Sequence, residues 1–260
     1  MVLTLKLLLT PCLITLVSLI ERRWGTDVSG WFMGFPFISA PISIIVAIQY
    51  GPGFAARSAV GTLGGLTSVC AFCLVYTLAA MKVNWPACLV AATGAFLLVT
   101  AGWNAARLPL GPTLAIDAMA LLVVLMVMPR RLPGGSQTRL LPKWELPLRM
   151  VLAAAFVWLL TTAADLLGPS LSGLLAPFPV MTSVIAPFTH RRFGAAAVTQ
   201  LLRGIVLGLF SFATFYVVLV GLLLSLPMPW PYVAATAASA LFHGLAFRFL
   251  LLQPGGGPSA

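Results

Sequence analysis

Long apolar segments separated by short polar ones run along the whole chain. Nine of them are apolar enough and long enough to be read as membrane-spanning helices, because a helix needs about 20 such residues to cross a bilayer. These segments are residues 3–20, 30–49, 56–81, 86–102, 110–128, 149–167, 172–189, 195–225 and 231–250. The pattern therefore predicts an all-α polytopic membrane protein with about nine transmembrane helices.

The composition agrees with a membrane protein. Hydrophobic residues make up 60% of the 260 residues and charged residues 8%, whereas a soluble domain carries about 25% charged residues. The net charge of +10 does not indicate nucleic-acid binding, since the basic loops are short and lack interleaved aromatic residues. The expected partners are the lipid bilayer and a small-molecule or lipid substrate, without nucleic acid. A homodimer or a larger membrane complex stays open.

The basic residues predict the orientation of the chain. Segment 129–149 is the longest polar stretch, and its five Lys and Arg residues place it in the cytoplasm by the positive-inside rule. Counting spans outward puts the N-terminus outside and the C-terminus in the cytoplasm. Eleven basic residues then lie on the cytoplasmic side, and three lie outside, namely Lys6, Arg57 and Arg107. We expect the protein in a bacterial inner (plasma) membrane.

A repeat with an offset of 143 residues divides the chain. The segment SGWFMGFPFIS at 29–39 recurs as SGLLAPFPVMT at 172–182, and the glycines at 51, 61 and 65 recur at 194, 204 and 208. Each unit holds four predicted spans, so the architecture is 4+1+4. Because the offset equals five spans, the second unit is upside down, which predicts inverted-topology repeats about a pseudo-two-fold axis in the membrane plane.

The repeat sets the domain boundaries. We predict a first four-span repeat at 1–102, then a linking fifth span with the basic cytoplasmic loop at 103–148. The second, inverted repeat follows at 149–250, and a disordered tail rich in Gly and Pro at 251–260.

One unit, for example 29–102, resembles the GlpM-like and DUF3147-like families of small bacterial membrane proteins. The residues that carry this resemblance are Gly30, Phe35, Pro36, Ser39, Gly51 and Ser68, and again Gly173, Phe178, Pro179, Thr182, Gly194 and Ser211. The families are single chains of about four spans. The resemblance implies a four-span fold unit, able to pair antiparallel with itself and fused here through one added span. It implies no defined activity.

Proline and glycine interrupt spans 2 and 7, at Gly34, Pro36, Pro41, Pro177, Pro179 and Pro187. Irregular backbone at membrane depth persists only where it is buried in protein or lines a wet cavity. We expect Ser39 and Thr182 to cap the half-helices that restart after each break, and the two ends to face each other as a substrate site. The candidate substrate-binding residues are Pro36, Ser39, Pro179, Thr182, Ser183, Gln200 and Arg203. The alternative is a pair of proline kinks that only shape the packing.

Two Gly-x-x-x-Gly patterns predict close helix packing. They are GTLGG at 61–65 and GIVLG at 204–208, with Gly61, Gly65, Gly204 and Gly208 as the packing residues. The expected partner of each helix is its equivalent across the pseudo-two-fold axis.

Asp117 lies about the middle of span 5, where a carboxylate is costly and therefore a functional candidate. We expect it to couple transport to protons, with Arg203 in span 8 as its partner. A static ion pair is the alternative.

Weaker candidates complete the set. Gln200 is expected to face the same cavity as Arg203, Asn104 is a weak candidate, His243 is expected to pack with a hydrogen bond, and Asp165 to lie at the outer interface. The pair Cys70 and Cys73 is read as packing rather than as a metal or redox site. The sequence holds no nucleophile–base–orienter set and no phosphate-binding loop, so we expect no enzyme, no cofactor and no metal.

Together these features predict a secondary transporter or flippase for a small anionic or amphipathic molecule, such as an organic acid or a lipid head group. Alternating access of the inverted repeats would move the substrate, and Asp117 would link the movement to protons. The main alternative is a non-transporting membrane scaffold or assembly factor, and a channel is the lesser one. A polar path between spans 2, 7 and 8 favours transport, whereas a tightly packed interior with Asp117 facing a lipid-exposed groove favours a scaffold.

Overall fold

The computed structural model describes residues 2–106, 108–129, 144–167 and 178–252, and within these ranges the chain forms nine helices and no strand. The predicted all-α class is confirmed. The helices are α1 (Val2–Trp24), α2 (Thr26–Met33), α3 (Ser39–Tyr50), α4 (Pro52–Ala80), α5 (Trp85–Ala106), α6 (Leu110–Val127), α7 (Glu145–Leu167), α8 (Val180–Leu222) and α9 (Trp230–Leu252).

Four of the described helices are long and apolar enough to cross a membrane. They are α4, α5, α6 and α8. Helix α3 is apolar but has only 12 residues. These helices indicate an integral membrane protein, in agreement with the composition.

Predicted span 2 consists of two helices. Helix α2 ends at Met33 and α3 begins at Ser39, and the residues between them form short turns, including a bond from the Phe35 N–H to the Phe32 carbonyl. Pro36 lies in this gap, where it has no amide proton to continue the helical ladder.

The predicted capping by Ser39 and Thr182 is wrong. The N-cap of α3 is Ile38 and that of α8 is Pro179, and neither has a side-chain cap hydrogen bond. Ser39 is the first helical residue of α3 and Thr182 the third of α8. A capping hydroxyl must come from the N-cap itself to reach the free N–H groups of the next turn.

Predicted spans 7 and 8 are joined in one bent helix. Gly194 interrupts α8 with φ 83° and ψ −176°, which separates an arm at 180–193 from an arm at 195–222. Gly51 makes a similar turn between α3 and α4, with φ 83° and ψ 163°. The first part of predicted span 7, with Gly173 and Pro177, lies outside the described residues, as do residues 130–143 of the predicted loop and 253–260 of the predicted tail.

Helices α4 and α8 form the centre of the molecule. They pack against each other, α5 packs on α4, and α9 packs on α8. Helix α6 lies against both central helices, and α1 lies against α7. Aromatic side chains fill the space between these helices, and Phe72, Tyr76, Phe96 and Phe215 are fully buried.

The predicted glycine packing is correct for α8 but not for its partner. A Cβ on Gly204 would lie 2.4 Å from the Asp27 carbonyl oxygen of α2, and a Cβ on Gly208 would lie 2.7 Å from the Cα of Gly34. Helix α2 is thus the helix that approaches α8. In α4, a Cβ on Gly61 would meet nothing within 4 Å, so the predicted packing role of Gly61 is wrong, because no neighbouring backbone comes close.

Candidate functional site

The described residues surround one large cavity of about 760 Å³. Its walls come mainly from the segment around the break before α3, from α4 and from α8. Residues of α1, α5 and α7 complete it, among them Val17, Trp103 and Val157. The volume lies in the range of about 300–1,000 Å³ that is typical of small-molecule sites.

Both proline breaks line this cavity. Phe35 and Pro36 lie on one side, and Phe178 and Pro179 contribute from the other break. The two Phe-Pro pairs are 143 residues apart in sequence and belong to different helices. Their shared cavity brings together four of the predicted substrate-binding residues, namely Pro36, Ser39, Pro179 and Thr182.

Two helix N-termini meet the cavity. Ile38 and Ser39 begin α3 there, and Pro179 to Thr182 begin α8. Since no side chain caps either end, the first-turn amide groups retain the positive end of each helix dipole. The Ser39 hydroxyl has no hydrogen-bond partner among the described residues. Such an end favours an anionic or strongly polar group.

The rest of the wall is apolar, with small hydroxyls. Aromatic side chains from α2, the break and α8 contribute Phe32, Phe37 and Phe212, and hydroxyls include Thr62 and Ser68. Among the described residues that line the cavity, none carries a charged side chain. The arrangement suits a molecule with an apolar body and one polar head.

The remaining candidates lie elsewhere. Ser183 is buried beside Thr182, and Gln200 is buried on the second arm of α8, but neither is among the described residues that line the cavity. The Ser183 hydroxyl and the Gln200 side-chain oxygen have no hydrogen-bond partner among the described residues. Asn104 does line the cavity, and Gly65 lines it together with Gly61. The side chain of Asp165 lies outside those described.

Arg203 binds the end of a helix rather than the cavity. Its Nη1 donates to the carbonyl oxygens of Leu125 at 2.7 Å and Met128 at 3.0 Å, at the C-terminal end of α6. A guanidinium there satisfies carbonyls that have no intrahelical partner and complements the negative end of the helix dipole. The side chain is also absent from the described cavity wall, so the structure does not bring Arg203 to the site.

The expected ion pair between Asp117 and Arg203 is wrong. Asp117 is 2% exposed, and its Oδ1 accepts a hydrogen bond of 2.5 Å from the Thr67 hydroxyl of α4. Leu125, where Arg203 binds, is eight residues further along α6, which corresponds to about 12 Å of helix axis. The Asp117 Oδ2 has no hydrogen-bond partner among the described residues.

Cysteine and histidine candidates are placed as packing residues. Cys70 and Cys73 are buried and reduced, and the described residues contain no group of three or more His, Cys, Asp or Glu that would hold a metal ion. The His243 Nδ1 lies 2.8 Å from the Ser211 hydroxyl, and its ring stacks on Trp31 with centroids 3.8 Å apart.

The sequence analysis missed a buried charged cluster. Arg149 is fully buried and donates to Glu21 at 2.7 Å and to Glu145 at 2.6 Å. Arg192 pairs with the second oxygen of Glu145, and the Thr189 hydroxyl donates to Glu21. The cluster joins α1, α7 and the first arm of α8. The i,i+4 spacing of Glu145 and Arg149 was the available signal, but the polar segment 129–149 was read as a loop, whereas α7 begins at Glu145.

No family model, curated protein or solved structure matches this chain. Its function is therefore inferred from the site geometry described above.

Proposed function

We propose that this protein is a secondary transporter or flippase that moves a small amphipathic molecule with an anionic head, such as an organic acid or a lipid head group. The molecule binds in the cavity between the two Phe-Pro breaks. The two four-span repeats rock against each other to expose the cavity to one side of the membrane and then to the other. Asp117 couples this movement to protons.

The observation that carries the proposal is the shared cavity. Two interruptions at equivalent places in the sequence, before Ser39 and before Thr182, line the same space. Broken helices whose N-termini face a central cavity are a recurrent design of substrate sites in transporters. If the breaks were only packing kinks, no cavity would be expected between them.

The cavity wall supports an amphipathic substrate. The described lining residues provide aromatic and aliphatic surface for an apolar body, while the helix ends at Ser39 and Thr182 provide positive potential for one acidic group. Because Arg203 binds α6, the anion preference rests on the two helix ends alone.

Several features of the fold support the inverted repeat. Helices α1 and α7 each have 23 residues, and they begin at residues 2 and 145, an interval of 143. Gly51 and Gly194, also 143 apart, both have φ of 83°. The buried positions 88, 92, 96 and 100 of α5 recur as buried positions 231, 235, 239 and 243 of α9. Sequence, helix bounds and burial thus follow one offset.

The orientation follows from the basic residues, with the N-terminus outside and the C-terminus in the cytoplasm of a bacterial inner membrane. The buried cluster around Arg149 then lies toward the cytoplasmic end of α1, α7 and the first arm of α8, next to Arg22, Arg23 and Arg191.

Asp117 supports transport rather than a scaffold role. A scaffold that recruits a partner through this carboxylate needs it at a lipid-exposed groove, but the side chain is 2% exposed and faces Thr67. Thr67 lies on α4 between Leu66 and Ser68, which both line the cavity. A proton arriving at Asp117 therefore acts on a helix that forms the cavity wall.

Cysteine labelling from each side of the membrane tests the proposal. The four native cysteines are replaced by alanine, and single cysteines are placed at Ser39 and at Thr182. Right-side-out and inverted vesicles are then treated with an impermeant thiol reagent. We expect both positions to react from both sides, and a proton gradient to shift the balance between the sides.

Ser183→Cys is the matched control, since Ser183 is adjacent to Thr182 but does not line the cavity. It is expected to stay unreactive. If Ser39→Cys and Thr182→Cys are unreactive from both sides under all conditions, the breaks are packed kinks and transport is abandoned for the scaffold function.

A further inference from the structure

The second half of the chain holds a groove that is filled by a helix. This second groove consists of Gly204, Gly208 and Ser211 of α8 and His243 of α9. Helix α2 lies in it so closely that a Cβ on Gly208 would be 2.3 Å from the Trp31 carbonyl oxygen. The Trp31 ring covers His243 at a centroid distance of 3.8 Å and an interplanar angle of 16°.

The first half holds the equivalent groove, and there it is open. This first groove consists of Gly61, Gly65 and Ser68 of α4 and Thr100 of α5, which are the residues 143 positions before those of the second groove. All four line the cavity. The space beside Gly61 is empty to 4 Å, in contrast to the contacts of Gly204.

The two grooves are built in the same way at their polar ends. In the first groove the Thr100 hydroxyl donates to the Ser68 hydroxyl at 2.8 Å, and in the second the Ser211 hydroxyl lies 2.8 Å from His243 Nδ1. The pairs have the same sequence separation of 32 residues. The chemical difference between the grooves is therefore an imidazole in place of a hydroxyl.

His243 has an unused polar atom. The side chain is 7% exposed, and its Nε2 has no hydrogen-bond partner among the described residues. When the Ser211 hydroxyl donates to Nδ1, the ring proton is on Nε2, which can then donate to an oxygen atom. A buried donor without a partner is costly, so it calls for a partner in some state of the protein.

We propose that the second groove is the substrate-binding surface of the protein's other conformation, uncovered when α2 leaves it. There His243 donates its Nε2 proton to an acidic oxygen of the substrate head, as a specificity residue that the first groove lacks. The inference rests on the proposed transport function, because inverted repeats exchange their conformations when the cavity changes sides.

Helix α2 is suited to this movement. It has eight residues, is preceded by Gly25 with φ of 89°, and is followed by the break at Pro36. Its contact with α8 runs through glycine backbone at Gly30 and Gly34 rather than through interlocked side chains. Element ends of this kind absorb the backbone changes of a hinged motion.

Paired cysteines test the inference in a chain whose native cysteines are replaced by alanine. Ser68→Cys reports on the first groove and Ser211→Cys on the second, each treated with an impermeant thiol reagent from either side of the membrane. We expect the two cysteines to react from opposite sides. An added Gly204→Ala should raise the rate at Ser211→Cys by about tenfold or more, since the new methyl group opposes the seated α2.

Gly61→Ala is the matched control, because it makes the same change at the equivalent, open position. It should leave the labelling of Ser211→Cys unchanged. If Gly204→Ala yields no monodisperse protein, Trp31→Ala replaces it, since this change removes the ring that covers His243 without adding bulk to the groove.

The outcomes separate this inference from the proposed function. If Ser68→Cys reacts while Ser211→Cys stays unreactive in the parent chain and in the groove variants, the second groove is static packing and only this inference is overturned. If Ser68→Cys is also unreactive from both sides, the cavity itself is inaccessible and the transport function fails with it.

A binding measurement tests the role of His243. Fatty acids and lysophosphatidic acid serve as carboxylate and phosphate probes against the purified protein, with Trp31→Ala to favour the open second groove. His243→Gln keeps a side-chain donor and is expected to retain affinity, whereas His243→Phe is expected to lose about tenfold. Equal affinities for the two variants would overturn the assignment of His243, and a difference confined to one probe would identify the head group as carboxylate or phosphate.

Discussion

Gly51 and Gly194 lie 143 residues apart and share a φ of 83°, with ψ of 163° and −176°. This region of backbone conformation is essentially restricted to glycine. Each residue joins a short helix to a long one, α3 to α4 in the first case and the two arms of α8 in the second.

Replacement of either glycine by alanine should destabilise the protein. The new Cβ would meet no atom within 4 Å at either position, so the cost is conformational only and is expected to be about 1–3 kcal/mol. Unfolding in detergent, followed by circular dichroism, measures it. Gly53→Ala is the control within α4, and it should be neutral or stabilising because Gly53 lies inside a helix. Equal effects at Gly53 and Gly51 would contradict the assignment.

Arg149→Met should strongly destabilise the fold. The change leaves Glu21 and Glu145 as buried carboxylates without their central cation, and breaking such a cluster costs about 3–5 kcal/mol. The exposed Arg22→Met is the control and should have little effect. Addition of Glu21→Gln and Glu145→Gln to Arg149→Met should recover much of the loss. A triple variant that is no more stable than Arg149→Met would show that packing of the arginine, rather than charge balance, is the main contribution.

Asp117→Asn should preserve the fold and abolish proton-driven uptake. The amide oxygen can still accept the hydrogen bond from Thr67, and an uncharged side chain is easier to bury than a carboxylate. Uptake into vesicles with an imposed pH gradient, compared with exchange without a gradient, separates coupling from binding. Thr67→Val is the control, since it removes the hydrogen bond but keeps the carboxyl group. Unaltered gradient-driven uptake in Asp117→Asn would rule out coupling through this residue.

Arg203→Met should lower stability without closing the cavity. It removes two hydrogen bonds to the end of α6, and a charged donor of this kind contributes about 1.5–3 kcal/mol. Hydrogen exchange should increase at residues 124–128. Gln200→Leu, one helical turn away, is expected to be neutral, because its side-chain oxygen has no described partner to lose. If Arg203→Met is as stable as the parent chain but no longer binds amphipathic anions, Arg203 belongs to the substrate site after all.

Part of the site was predictable from local sequence. The breaks at Pro36 and Pro179 follow from the missing amide proton of proline, and their duplication singled them out among many prolines. The Gly-x-x-x-Gly pattern at 204–208 likewise indicated close backbone approach. What the pattern did not contain was the partner, because any helix with a small face fits such a groove.

Charged residues were the least predictable. Arg203 and Asp117 were paired because both are charged and lie in apolar spans, but each finds a closer partner in a carbonyl group or a hydroxyl. Arg149 was assigned to a cytoplasmic loop, although α7 buries it completely. A sequence reports that a charge is present in a span, whereas its partner depends on helix rotation and register.

The sequence by itself determined the all-helical membrane class, the positions of the breaks and the 143-residue repeat, because these depend on hydrophobicity, backbone chemistry and comparison of the chain with itself. Only the tertiary structure decided that both breaks line one cavity, that Gly204 and Gly208 receive α2, and that Glu21, Arg149 and Glu145 form one cluster. These are contacts between residues far apart in the chain, and they are fixed by how the helices pack rather than by any local pattern.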